Sequence, residues 1–515
     1  MIERQIIIGA VVSTEYLTQI RDLWNIGYFE SVTAKRLARW IWQYYSTYNK
    51  APGKHIETIF YDKIKTEKLN PTVADEIENE ILPSLSKQYE ENDINLDYLI
   101  GATKKYFTER KLTLHKDSIE AALSKNDLIL AEQLASEYKP LSVNPTSTLT
   151  LSDPITLDRV DKAFNTDSIP LITYPSTLGD FWNDQLVRGG FISLLASEKR
   201  GKSWWLLDLA LRACRQKQKV AFFQAGDMSE SAQLKRICIY LSQKSNMERY
   251  CGKMYEPICD CVLNQINSCK KEERTCGFGI FPDKTFVEVK YDISKDSLVS
   301  AYEKEPDYEP CTCCDEYKSR KLGTPWIKEI EIKTPLYVDE AKRMITDFFI
   351  KYGRQFKLST HPIHTLTVKD MNAILDIWER QDGFIPDVII VDYADILAPE
   401  GSDKDFRHSQ NKIWMGLRNL SQTRGLPLVI TATQADAASY EKNSLKMINF
   451  SEDKRKYSHV TFMAGLNQDP KDREKKIGIM RLNAIVAREG EFYTSHEVTV
   501  LQNLRRGRPF IGAYW

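Results

Sequence analysis

Over the first 140 residues apolar positions recur at helical spacing, with few Gly or Pro to interrupt them. Leu37, Ala38, Ile41, Trp42 and Tyr45 share one face of a 3.6-residue period, and a second such stretch runs from Leu112 to Leu134. This predicts an all-α N-terminal domain over 1–140. Between 141 and 178, Pro145, Pro154, Pro170 and Pro175 punctuate a Ser/Thr-rich stretch, read as a linker in which Ile155–Phe164 forms one short amphipathic helix. Beyond it the period changes. Phe191–Leu195, Val220–Gln224, Val388–Val391, Leu428–Thr433, Ile477–Val486 and Glu497–Leu501 read as strands. Helical stretches between them, such as Trp204–Cys214, predict a mainly parallel α/β domain over 179–515. A turn-rich block at 251–333 breaks the alternation and reads as an insertion. No repeat of fixed period is present.

Length and composition narrow this picture. A chain of 515 residues, 42% hydrophobic and 28% charged, is that of a globular protein with several domains. The early apolar run Ile6–Val12 is far shorter than the ~20 residues a bilayer span needs, and no cleavage pattern follows it. The expectation is a cytoplasmic chain without a membrane partner. Lys+Arg and Asp+Glu balance at 71 each, which excludes a uniformly basic nucleic-acid coat. The balance is uneven, however: residues 401–515 carry 19 Lys+Arg against 12 Asp+Glu.

Eight of the ten cysteines fall between Cys251 and Cys314; Cys214 and Cys238 read as buried thiols. In a reducing compartment such a cluster points to metal rather than disulfides. Cys311 and Cys314 form a C-x₂-C pair. All-thiolate ligation without an open position is structural, so four of Cys261, Cys269, Cys276, Cys311 and Cys314 are expected to hold Zn²⁺. A metal-free, disordered insert is the alternative. His361 and His364 read as surface histidines.

The sharpest chemical signal is Ala196-Ser197-Glu198-Lys199-Arg200-Gly201-Lys202-Ser203, which joins a strand to a helix. It is a G-x-x-x-x-G-K-[ST] phosphate loop with Ala in place of the first Gly. Such a loop turns backbone amides toward phosphate oxygens, with Lys202 reaching the β/γ-phosphates of ATP and the Ser203 hydroxyl on Mg²⁺. Asp392 ends the apolar strand Val388–Val391, where a partner carboxylate for that Mg²⁺ is required. Trp204 and Trp205, on the first helical turn, read as core.

With these motifs the chain resembles a DnaB-type replicative DNA helicase, a RecA-like hexameric ATPase, of the phage-encoded kind. The resemblance also takes in the helical N-terminal collar, the linker helix, Leu178-Gly179-Asp180-Phe181-Trp182 and the terminal Gly507-Arg508-Pro509. It implies that Asp227, standing where the family has Glu, is the general base; an N-cap for the helix near Ser229 is the other role open to it. It implies that Gln434 senses the γ-phosphate and that Arg488 is the finger serving a neighbouring subunit, with Val486 in place of the family's Lys. It places the loops 397–411 and 435–458 at a central channel, where Lys442, Lys446, Lys454, Arg455 and Lys456 would meet single-stranded DNA. The implied protein is a homo-hexameric 5′–3′ helicase at the replication fork, with a primase or loader as partner. A recombination ATPase and a regulatory DNA-bound ATPase without unwinding activity are the rival readings.

Overall fold

The computed structural model describes residues 2–66, 74–75, 77–83, 95–138, 160–311, 321–400, 406–436, 439, 442–449, 454–488 and 496–515. The chain divides into two compact units, Met1–Thr156 and Leu157–Trp515. No described helix is long and apolar enough to cross a membrane.

The first unit is helical throughout its described part. In the helix Val32–Tyr48, Leu37, Ala38, Ile41 and Tyr45 are buried as their spacing requires; Ser31 caps its start and Asn49, in the left-handed region, ends it. The long run through Leu112 is divided. Helix Leu96–Ser124 stops at Lys125, and Asp127 caps a new helix, Leu128–Glu137, by accepting from the Leu130 amide. Of the linker helix expected at 155–164, residues 155–159 lie outside the described residues.

The second unit is built on strands β1 (Phe191–Ala196), β2 (Val220–Gln224), β3 (Gly252–Cys261), β4 (Gly323–Ile332), β5 (Phe356–Thr360), β6 (Val388–Asp392), β7 (Leu428–Gln434), β8 (Phe462–Asn467), β9 (Ile479–Ala487), β10 (Glu497–Asn503) and β11 (Arg508–Tyr514). Nine of them form one sheet in the order β11-β10-β9-β8-β1-β7-β6-β2-β5. The six from β8 to β5 run parallel, and β9 to β11 continue the sheet antiparallel. Every residue of β1, β2, β6 and β8 is buried, because helices cover both faces of the sheet. That is why these strands read as unbroken apolar runs.

The cysteine-rich block closes on itself. β3 pairs antiparallel with β4 from Gly252↔Ile332 to Cys261↔Gly323. A small polar insertion has too little surface to bury alone, and this one borrows a core from the sheet. Leu298, Tyr308, Trp326 and Cys276 pack with Ile477, Ile479, Leu501 and Tyr514. Its centre is the buried Asp260, whose carboxylate accepts from the amides of Cys261 and Cys311, from Tyr308 Oη and from Gln265 Nε2.

Candidate nucleotide site

Parallel strands of adjacent order end together, so the register Ala196↔Gln434 and Gln224↔Asp392 brings the ends of β1, β7, β6 and β2 to one rim. Ligands of open α/β sheets bind at this rim. The phosphate loop leaves β1 there. Ala196 still lies in the strand, and the positive φ values fall later, at Lys199 (57°) and Gly201 (88°). The Ala-for-Gly exchange therefore costs nothing. Gly201 caps the helix Lys202–Arg215, and a Cβ on it would come within 2.9 Å of Leu504.

The loop surrounds a cavity of about 540 Å³ lined by Lys202, Ser203, Asp227, Arg236, Asp392 and Gln434, among others. Eight expected residues thus meet in one place, Glu198, Lys199 and Gly201 of the loop being the others. Lys202 Nζ donates to the carbonyls of Ala196 (2.9 Å) and Ser197 (3.1 Å), which holds the ammonium inside the loop. Burial pulls its pKa below the ordinary lysine value, opposed by Asp395, Asp392 and further carboxylates. Ser203 Oγ donates to Asp392 Oδ1 at 3.1 Å. Burial pushes the Asp392 carboxyl up to about 6, against the pull of Arg236, Ser203 and Lys202. Its Oδ2 is buried and accepts from no donor among the described residues. A hydroxyl beside a half-satisfied carboxylate, with an ammonium alongside, is a donor set that suits Mg²⁺ carried on a nucleotide.

Gln434 ends β7 and donates from Nε2 to Glu198 Oε1 at 3.1 Å. Asp227 is exposed at the cavity wall. The capping role open to it belongs instead to Ser229, whose side chain accepts from the Ala232 amide and starts the helix Glu230–Ser242. Arg488 is exposed at the end of β9, donates to the Ser458 carbonyl, and is not part of its own chain's cavity wall.

Four cavity residues escape the sequence reading: Arg236, Trp204, Tyr393 and Leu504. Arg236 reaches in from the helix Glu230–Ser242, its guanidinium 5.0 Å from the Trp204 ring centroid; burial pulls its pKa below the ordinary arginine value, opposed by Asp392 and Asp227. Arg236 stands three residues after buried Gln233 and four before buried Tyr240, on an inward face that only the packed helix reveals. Trp204 also lines the cavity, whereas Trp205 is core as expected.

Among the proposed strand-binding cations, Lys442, Lys446 and Arg455 are exposed, and the Lys454 side chain lies outside what is described. Lys456 departs from the expectation. It is fully buried, 2.7 Å from Asp395 Oδ1, with the Trp414 ring 5.7 Å away, and an ammonium so enclosed is not offered to DNA. Asp395 in turn accepts from Thr433 Oγ1 and the Gln434 amide. Of the terminal arginines, Arg506 and Arg508 are taken up by the buried Glu256 at 2.7 and 2.8 Å.

The metal expectation for the insertion finds no support: no group of three or more His, Cys, Asp or Glu side chains is placed to hold a metal among the described residues. Cys261, Cys276 and Cys311 are buried, and Cys269 is partly so. Burial pushes the Cys261 thiol up to about 11. Cys314 lies outside the described residues.

No protein-family model and no curated protein matches this sequence. Solved structures do match in fold. A DnaB-like replicative helicase, determined for its interactions with primase, superposes with a TM-score of 0.51 at 11% identity, covering 98% of each chain. A second solved structure, a separate ATPase domain, covers 70% of this chain and 98% of its own length, at 10% identity and a TM-score of 0.43. The DnaB-like architecture that the motifs implied is thus present as a fold.

Proposed function

We propose that the protein is a ring-forming, ATP-hydrolysing DNA helicase of the replication fork. The observation that carries this reading is the Ser203–Asp392 hydrogen bond beside the Lys202 loop, at the sheet rim of a DnaB-like fold. On nucleotide binding Lys202 exchanges the two loop carbonyls for phosphate oxygens. Mg²⁺, held by Ser203 and Asp392, supplies charge neutralisation of the phosphates. Asp227 receives the proton of the attacking water, Gln434 registers the γ-phosphate, and Arg236 balances the charge of Asp392 and Asp227. Arg488 serves the site of the adjacent protomer in a homo-hexamer, since such sites lie at heterologous interfaces. Lys442, Lys446, Lys454 and Arg455 neutralise strand phosphates without reading sequence. The helical first unit is the surface for a primase or loader, and 5′–3′ direction follows the family resemblance.

ATP hydrolysis in the presence of single-stranded DNA tests the reading. Wild type is expected to hydrolyse ATP and Lys202→Ala to lose at least ~100-fold in rate, the scale of a lost electrostatic contact to the transition state. Equal rates in both would refute it. A structural Zn²⁺ on four of Cys261, Cys269, Cys276, Cys311 and Cys314 is a separate proposal resting on sequence spacing alone. Metal content per chain decides it: Zn²⁺ present in wild type and lost in Cys311→Ser supports the site, and none in wild type removes it.

A further inference from the structure

Beside the phosphate loop lies a second cavity, of about 420 Å³, whose wall is shared between the ATPase sheet and the insertion. Seven Lys or Arg side chains line it, and no Asp or Glu does. Three have carboxylate partners nearby: Arg200 and Lys475 with Asp472, and Lys253 with Glu329. Lys199, Lys295, Lys476 and Arg505 have no ion pair among the described residues.

These cations come from five separate stretches of chain and converge on one concave wall. Gathering like charges costs free energy, and two positions add to the cost. Lys295 opens the ten-residue helix Lys295–Lys304, and Lys199 precedes the helix Lys202–Arg215. A helix start already carries partial positive charge, so a lysine there is misplaced unless an anion answers it. A solvated lysine face has no need of such convergence. The volume is that of a small-ligand site, and the side chains of Tyr255 and Pro257 offer apolar surface beside the cations.

We propose that this cavity is a second oligophosphate site, which takes the phosphate run of a nucleoside polyphosphate and does not hydrolyse it. With no carboxylate in the wall there is nothing to hold a divalent metal or to take a proton from water. Lys199 and Leu504 line both this cavity and the nucleotide cavity. An occupant here therefore touches the same loop that holds ATP, and the insertion, through Lys253 and Lys295, contributes directly to its binding. The proposal stands on this wall alone and does not require the helicase reading.

Calorimetric titration of the full-length chain with inorganic tripolyphosphate tests it. One class of tripolyphosphate binding is expected to persist in Lys202→Ala. Adding Lys295→Ala and Lys476→Ala is expected to weaken that class by roughly 100-fold, two charge-assisted contacts being lost. The charge-preserving pair Lys295→Arg and Lys476→Arg is expected to retain it, which separates charge from folding. Absence of binding in Lys202→Ala alone, or undiminished binding in the triple variant, overturns the proposal. Loss of oligothymidylate binding in the triple variant without loss of tripolyphosphate overturns it in favour of nucleic acid. ATP hydrolysis by wild type reads the first cavity independently; its failure refutes the helicase reading and leaves the tripolyphosphate result standing.

Discussion

Arg236 is the cation that the candidate nucleotide cavity adds to the Lys202 loop. Asp392 is buried beside exposed Asp227, and burial already drives the Asp392 carboxyl toward its neutral form. The Arg236 guanidinium opposes that shift at Asp392 by its charge, and it lies 5.0 Å from the Trp204 ring centroid. Arg236→Ala is expected to lower kcat/KM for ATP by about 10–100-fold, the worth of one charge-assisted contact. Steady-state kinetics checks this, with circular dichroism confirming that the helix Glu230–Ser242 remains. The phosphate loop, Asp392 and Gln434 were legible in the sequence because each is tied to a strand end by local pattern. Arg236 was not, because its role depends on which helix face the sheet covers.

At the scale of elements, Asp395 explains what an apolar strand ending in Asp392 leaves open. It joins the turn after β6 to the end of β7 through Thr433 and Gln434, and to the loop 435–458 through Lys456. The loop expected to meet DNA is thus fastened by a buried ion pair to the strand end expected to sense the γ-phosphate. Removing one partner of such a pair strands the other charge in the interior. Lys456→Ala is expected to cost about 3 kcal/mol or more, read as a lower midpoint in urea unfolding. The sequence places Lys456 among the loop cations because a run of Lys-Arg-Lys carries no information on which member turns inward. Strand legibility followed the same logic. β1, β2, β6 and β7 were plain as apolar runs. β5 is only half-buried along its length, and β11 opens Arg508-Pro509, a proline that an edge strand tolerates but that argues against a strand from sequence. The insertion has a core only because the sheet lends it one, which no local pattern announces.

For the whole molecule, a net charge of zero is compatible with DNA handling if the cations that grip are few and repeated around a ring. The exposed Arg488, outside its own cavity wall, fits a site completed by a neighbour. Subunit mixing checks that. Arg488→Ala and Lys202→Ala are each expected to be inactive alone, yet their mixture is expected to recover part of the ATPase activity, because some interfaces then pair an intact loop with an intact finger. No recovery at any ratio would place Arg488 outside catalysis in trans. The central claim, that ATP hydrolysis at the Lys202 loop drives strand separation, is met most directly by a strand-displacement assay on forked DNA. Wild type is expected to release the displaced strand only with ATP, and Lys202→Ala to release none; unwinding that survives Lys202→Ala, or wild-type protein that hydrolyses ATP without separating strands, would contradict it.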